Sequence, residues 1–298
     1  MKNMSTYYEL EPKDSHFYSL GIEITHRCNM ECANCFMPNR TVPDTDLEKF
    51  YAVLEQLPRK TEIRLLGGEP TVRADLPEIV AKIKSYGHRP TMMTNGLMLA
   101  RPGYAKELVD AGMRSIYLSL NGADNDDIYE KMDGIRCAER KLKAWRECHD
   151  ASMNVNIGAI MQKGTNDMVP KRLLELSNEM GGGHVLRFRN VGQIGRYTLN
   201  KQQNWTWDSL VKHICDLYGV DDEVAKTYNR INGFTENGTI LFPLDESKKL
   251  TGTWVKITDW SPANGEHPDT TGHRRGRITQ NFKLAPYFEH VKLHENVY

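Results

Sequence analysis

Between residues 17 and 195 six short apolar runs alternate with five amphipathic stretches, and this alternation constrains the fold most. The runs at 20–25, 62–66, 90–94, 114–120, 153–160 and 184–190 read as strands. The stretches near 46–57, 75–86, 102–111, 124–149 and 166–180 carry helical spacing. Strands joined through helices form a parallel sheet with right-handed crossovers. In such architectures the reactive edge is the one at the carboxyl ends of the strands. The alternation loosens after residue 195, which divides the chain into an α/β domain over 1–195 and an extension over 196–298. Within the extension, 238–243 and 252–258 read as strands of a small α+β region, followed by a polar loop at 261–277.

The charge balance excludes several classes of partner. Lys+Arg and Asp+Glu both total 39, so no global field marks a membrane or large nucleic-acid binder. No apolar run approaches the roughly 20 residues that span a bilayer. Residues 1–20 lack the apolar core of a secretory signal, and a cytoplasmic location is expected.

Three of the six cysteines fall within eight residues, as Cys28-x3-Cys32-x2-Cys35 directly after the first strand. A secreted disulfide scaffold spreads its cysteines over a small chain, whereas this triplet suits metal. Three thiolates on one loop can hold three corners of a [4Fe–4S] cluster, leaving the fourth iron for an exogenous chelator. Zinc with a fourth ligand such as His26, or simple buried thiols, are the other readings of the triplet alone. Cys137, Cys148 and Cys215 lie scattered and read as inert core thiols.

Later strands also end in ligand-compatible motifs: Gly67-Gly68-Glu69-Pro70, Thr94-Asn95-Gly96 and Ser119-Leu120-Asn121-Gly122. Each alone reads as a turn, but in order, at one sheet edge, the turn explanation weakens. The stretches ITHRCNMECANCF, EIRLLGGEPTVRADLPEI, MMTNG, SIYLSLNGADNDDIYEKMDG and NVNIGAIMQKGTND together resemble the radical S-adenosylmethionine (SAM) superfamily. The resemblance lies nearest the branch that contains the molybdenum-cofactor enzyme MoaA and the SPASM-type peptide-modifying enzymes.

That resemblance implies a partial (βα)6 TIM-like barrel. It implies a [4Fe–4S] cluster on Cys28, Cys32 and Cys35, with SAM as its chelator. Gly67, Gly68, Glu69 and Pro70 would hold the methionine amino group. Ser119, Thr94 and Asn95 would meet the ribose or carboxylate. The stretch from Ile157 to Ile160 would lie near the adenine, with Val191 and Gly192 closing the other side. Arg64 matches a substrate-contacting position in MoaA, with an ion pair as its other reading. The family usually carries an aromatic residue just before the third cysteine. Here that position is Asn34, with Phe36 following, so the adenine contact from this loop differs.

Cys215 is the sole cysteine after residue 148, and a second cluster cannot be built from it. This excludes MoaA itself and chemistries that depend on auxiliary clusters. Arg274, Arg275 and Arg277 offer guanidinium forks that could clamp an anionic substrate. Asp259, Glu266 and His267 are candidate proton donors.

The leading expectation is therefore an enzyme that reductively cleaves SAM to a 5′-deoxyadenosyl radical, which abstracts hydrogen from a small molecule or peptide. It would need an electron donor such as flavodoxin or ferredoxin. A nucleotide- or tRNA-modifying enzyme of the same superfamily is the alternative. A zinc-stabilised binding module is the alternative from another class, and it leaves the strand-end motifs unexplained.

Overall fold

A computed structural model describes residues 8–33, 35, 37, 39–191, 204–232, 238–245, 247, 252–260 and 275–286. All six expected strands form: β1 (Ser19–Thr25), β2 (Glu62–Gly67), β3 (Arg89–Thr94), β4 (Ser115–Ser119), β5 (Asn154–Ile160) and β6 (Val185–Arg189). They pair in parallel in chain order. The connecting helices are α1 (Leu47–Gln56), α2 (Leu76–Ser85), α3 (Tyr104–Ala111), α4 (Asp126–Asp133), α5 (Ala138–Asp150) and α6 (Val169–Glu179).

The expected helix over 124–149 is broken into α4 and α5. Gly134 caps α4 in the left-handed conformation, φ +75°, which glycine adopts without steric cost. Asp133, the last residue of α4, is buried beside the bend.

Alternation along each strand separates two faces. Leu20, Ile22 and Ile24 of β1, Ile63 and Leu65 of β2 and Ile116 and Leu118 of β4 belong to one buried core with the helices. Phe50, Val53 and Leu54 of α1 and Ile79, Val80 and Ile83 of α2 face them at helical spacing. The opposite face is polar. Arg64 from β2 and Arg187 from β6 both reach Tyr117 on β4, so the sheet is curled with this face inside. Fold and pairing together make a partial TIM-like barrel.

The C-terminal part extends the same sheet at both ends. β8 (Trp254–Thr258) pairs in parallel with β6, and β7 (Thr239–Pro243) lies antiparallel outside it. At the other end β9 (Arg275–Ile278) pairs in parallel with β1, and β10 (Leu284–Pro286) lies antiparallel to β9. Residues 275–277, expected within a polar loop, are therefore strand. Their partner β1 is remote in sequence, so local pattern could not reveal the pairing.

Two helices, α7 (Trp207–Tyr218) and α8 (Asp222–Ile231), precede β7. On α8, Asn229 donates through Nδ2 to Thr239 O (3.2 Å) and accepts through Oδ1 from Leu241 N (3.1 Å). The outer edge of β7 thus meets an amide side chain instead of another strand. Among the described residues, no helix is long and apolar enough to cross a membrane.

Candidate active site

The cysteine loop leaves β1 through a register shift between Glu23 and Thr25 and is pressed onto the end of β2. Gly68 N donates to Thr25 O at 2.8 Å, and Glu69 N donates to Arg27 O at 2.9 Å. A Cβ on Gly67 would lie 2.1 Å from Thr25 O, and one on Gly68 would lie 2.3 Å from Arg27 O. The close approach that the paired glycines permit is thus first an approach of the chain's own backbone. It fixes where the cysteines begin.

Cys28, Cys32 and Cys35 are half-buried, whereas Cys137, Cys148 and Cys215 are buried. Burial pushes the Cys28 thiol up, and the Glu69 carboxylate adds to this. Burial likewise pushes Cys32 up, with Asp133 adding. Burial disfavours the thiolate at both positions, and a bound metal cation would offset this. Arg40 Nη2 donates to Cys35 Sγ at 3.4 Å, so a fixed guanidinium already faces the loop. Nothing in the sequence pattern marked Arg40. The scattered thiols are held high by burial foremost, with nearby carboxylates adding, Cys137 at about 11 and Cys148 and Cys215 at about 12.

Three half-buried thiols on one loop, with a guanidinium beside them, fit the donor set of a cluster that takes one thiolate per iron. Zinc instead needs four donors converging at 2.0–2.3 Å.

The ends of β2 and β3 are braced by Glu69. Its carboxylate is 1% exposed and accepts from Thr71 N (3.1 Å), Thr71 Oγ1 (2.6 Å), Thr94 Oγ1 (2.7 Å) and Asn95 N (2.6 Å). Burial raises its pKa, and the donors from Thr71, Asn95 and Thr94 work against the rise. Asn95 continues the chain of contacts. Its Nδ2 donates to Asn29 Oδ1 at 2.8 Å and lies 4.0 Å from Cys28 Sγ. The expected residues Gly67, Gly68, Glu69, Pro70, Thr94 and Asn95 are therefore brought together at one edge with Cys28.

Farther round the barrel, Ser119 ends β4, and Val191 follows β6 with its N–H on Asn204 Oδ1 at 3.0 Å. Of the stretch expected near adenine, Ile157 and Ala159 belong to the helix-facing core, which leaves Gly158 and Ile160 on the inner face. Asp259 accepts from Asn190 Nδ2 at 2.7 Å beside the end of β6. Asn34, Phe36, Gly192, Glu266, His267 and Arg274 lie outside the described residues.

The interior is cationic. Arg64 is 8% exposed, bonds Glu62 at 2.6 Å and donates to Tyr117 Oη at 3.2 Å. Its carbon Cζ sits 4.7 Å from the Tyr117 ring centroid, and Arg187 Cζ sits 4.5 Å from it. Such packing suits a planar cation on an aromatic face. Burial holds the Arg187 guanidinium down at about 10, and the charges of Arg64 and Arg275 push the same way. Guanidinium groups from β2 and β6 thus meet at Tyr117, and the charge of Arg275 on β9 is felt at Arg187. Glu62 answers part of that charge; burial opposes its ionisation, but Arg64 and Arg89 hold its carboxyl below the usual range. Arg277 has a different place: it is buried and ion-paired with Glu23 of β1. Arg187 was not singled out from sequence, although its period-two alternation with Arg189 in an apolar strand was the available signal.

Comparison with known proteins adds the family. A model described as the Radical SAM superfamily matches residues 22–176. A probable GTP 3′,8-cyclase of Metallosphaera sedula is 29% identical over 232 residues, covering 74% of this chain and 70% of that protein. The GTP 3′,8-cyclase of Acidothermus cellulolyticus is 32% identical over 192 residues, covering 59% of this chain and 51% of that protein. Thus the chain spans about half the length of the second relative. Streptococcus suis SuiB bound to its precursor peptide SuiA shares the fold, with TM-score 0.65 and 15% identity over 94% of this chain and 61% of SuiB. The matched segment contains the cysteine loop and all three strand-end motifs, and the chain belongs to the radical SAM superfamily, enzymes whose cofactors are a [4Fe–4S] cluster and SAM.

Proposed function

We propose that this enzyme cleaves SAM reductively at one cluster held by Cys28, Cys32 and Cys35 and acts on a small anionic substrate inside the barrel. The observation that carries the first half is the contact of Asn95 with Asn29, which docks the cysteine loop on the edge braced by Glu69. Bound there, cluster and SAM would supply a one-electron cleavage to methionine and a 5′-deoxyadenosyl radical, which takes a hydrogen atom from substrate.

The chain's own residues have separable tasks. Cys28, Cys32 and Cys35 would each hold one iron. The backbone at Gly67 to Pro70 would orient the methionine moiety, while Ser119, Thr94 and Asn95 border the nucleoside. A one-electron donor such as flavodoxin or ferredoxin would serve as the external reductant.

The meeting of Arg64 and Arg187 at Tyr117, with the charge of Arg275 felt at Arg187, supports a substrate carrying phosphate or carboxylate groups. The GTP 3′,8-cyclase relatives make a phosphorylated nucleotide the natural first probe. Anaerobic reconstitution with iron and sulfide, reduction with SAM present and assay for 5′-deoxyadenosine test the first half, with Cys32→Ala as control. Cysteine-dependent deoxyadenosine supports the reading; stoichiometric zinc without it overturns it. The second half fails if GTP and inorganic triphosphate both leave the melting temperature unchanged at millimolar concentration.

A further inference from the structure

The Lys141–Asp133 ion pair has no part in the chemistry described so far, although it is among the most deeply buried charge pairs of the fold. Lys141 on α5 is 0% exposed and Asp133 at the end of α4 is 1% exposed, with Nζ 3.2 Å from Oδ2. Lys141 Nζ also donates to Ser119 O at 3.0 Å and lies 4.9 Å from the Tyr129 ring centroid. Asp133 Oδ1 accepts from Asn121 Nδ2 at 2.8 Å. Asn121 Oδ1 in turn accepts from Ile160 N at 3.0 Å, and Asn166 Nδ2 donates to Asn121 O and Ile160 O. One network therefore ties the ends of β4 and β5 to the last turn of α4.

That last turn carries the cysteine loop. Ala33 N donates to Met132 O at 2.9 Å, one residue before Asp133. One residue after it, Gly134 packs so closely that a Cβ would lie 3.0 Å from Glu31 O. Met30, Leu97, Tyr129, Cys137 and Ala138 form a small apolar cluster of their own, against which Cys28 and Cys32 pack. A buried ion pair is a poor source of stability, since desolvation offsets most of its attraction. What it does provide is direction: a bond at a fixed angle to a strand end.

We propose that Lys141 and Asp133 are positioning residues that hold the last turn of α4, and with it the cysteine loop from Met30 to Ala33, in register with the ends of β4 and β5. This rests on the reading given above for what the loop carries, but the link itself is a matter of backbone geometry. It predicts that losing the ammonium loosens the loop selectively.

Amide hydrogen exchange on the full chain, metal-free, tests the link directly. In Lys141→Met the peptide containing Ala33 should exchange about 10-fold faster or more, while amides in β3 keep their wild-type rates. Lys141→Arg should restore most of the protection. In reconstituted protein with wild-type iron content, SAM binding followed by the spectrum of the reduced cluster should weaken by about 10-fold or more. Wild-type protection at Ala33 in a folded Lys141→Met variant overturns the proposal, whatever happens to melting temperature. Should that variant not fold, the double variant Asp133→Asn/Lys141→Met removes both charges and is read by the same criterion. If the wild-type chain takes up no cluster, the proposed function fails, and the metal-free exchange arm still decides this inference.

Discussion

Thr94 Oγ1 donates to Glu69 Oε1 at 2.7 Å, joining the ends of β2 and β3 beneath the cysteine loop. Glu69→Gln keeps the shape but places an NH2 donor against Asn95 N–H or leaves other donors unmet. The variant should lose about 2 kcal/mol of stability in urea unfolding, whereas Thr94→Val should lose about 1 kcal/mol. The double variant should cost less than the sum, because both changes remove the same bond.

The two sets of cysteines should separate cleanly. Reconstituted wild-type chain should carry about four irons, and single Ser substitutions at Cys28, Cys32 or Cys35 should remove the cluster absorbance. Ala at Cys137, Cys148 or Cys215 should leave iron content unchanged. Iron analysis on the six variants is the check, and iron loss on changing Cys137 would enlarge the ligand set.

Arg187 should be a cost to the apo fold and an asset to binding. Arg187→Leu removes a poorly solvated charge from beside Arg64, so the unfolding free energy should stay level or rise by about 1 kcal/mol. Millimolar inorganic triphosphate should raise the wild-type melting temperature by mass action and leave the variant unmoved.

His184 makes stability depend on pH. Burial, helped by the nearby His149, holds its pKa at about 4, below the ordinary 6.5. Between those values the unfolded chain binds the extra proton, so stability is present above pH 6.5 and is lost on acidification toward 4. Thermal melts from pH 7 to 4 should fall accordingly, and His184→Gln should flatten the dependence across that window.

Much of this arrangement was legible in the sequence, for physical reasons. Short apolar runs separated by amphipathic stretches located the first six strands, because each strand packs one face against the helices. The Cys28–Cys35 spacing and the strand-end glycines marked residues that the fold brings to one sheet edge, because tight turns admit few residue types. What stayed hidden was non-local. Tyr117 gains meaning only when β2 and β6 bring Arg64 and Arg187 to its two sides, and Lys141 only when α5 delivers it under β4. The break at Gly134 was readable in principle from the Asp133-Gly134 pair, yet uninterrupted helical spacing on both sides masked it.

Asn229 guards an edge. Changing it to Ala strips Thr239 O and Leu241 N of their partner, which should cost about 1–2 kcal/mol. The uncovered strand should also self-associate, seen as concentration-dependent mass in light scattering.

The parallel pairing of Ser19 with Arg275 also has a consequence for synthesis. The ribosome makes β1 more than 250 residues before β9, the strand that completes its outer side. Through most of translation, then, the strand that leads into the cysteine loop waits with one flank exposed. Long-range pairing of this kind is slow, because loop closure must come before any contact rewards it. The nascent barrel therefore matures late, and iron delivered to the emerging chain would meet a loop whose supporting strand is still half-built.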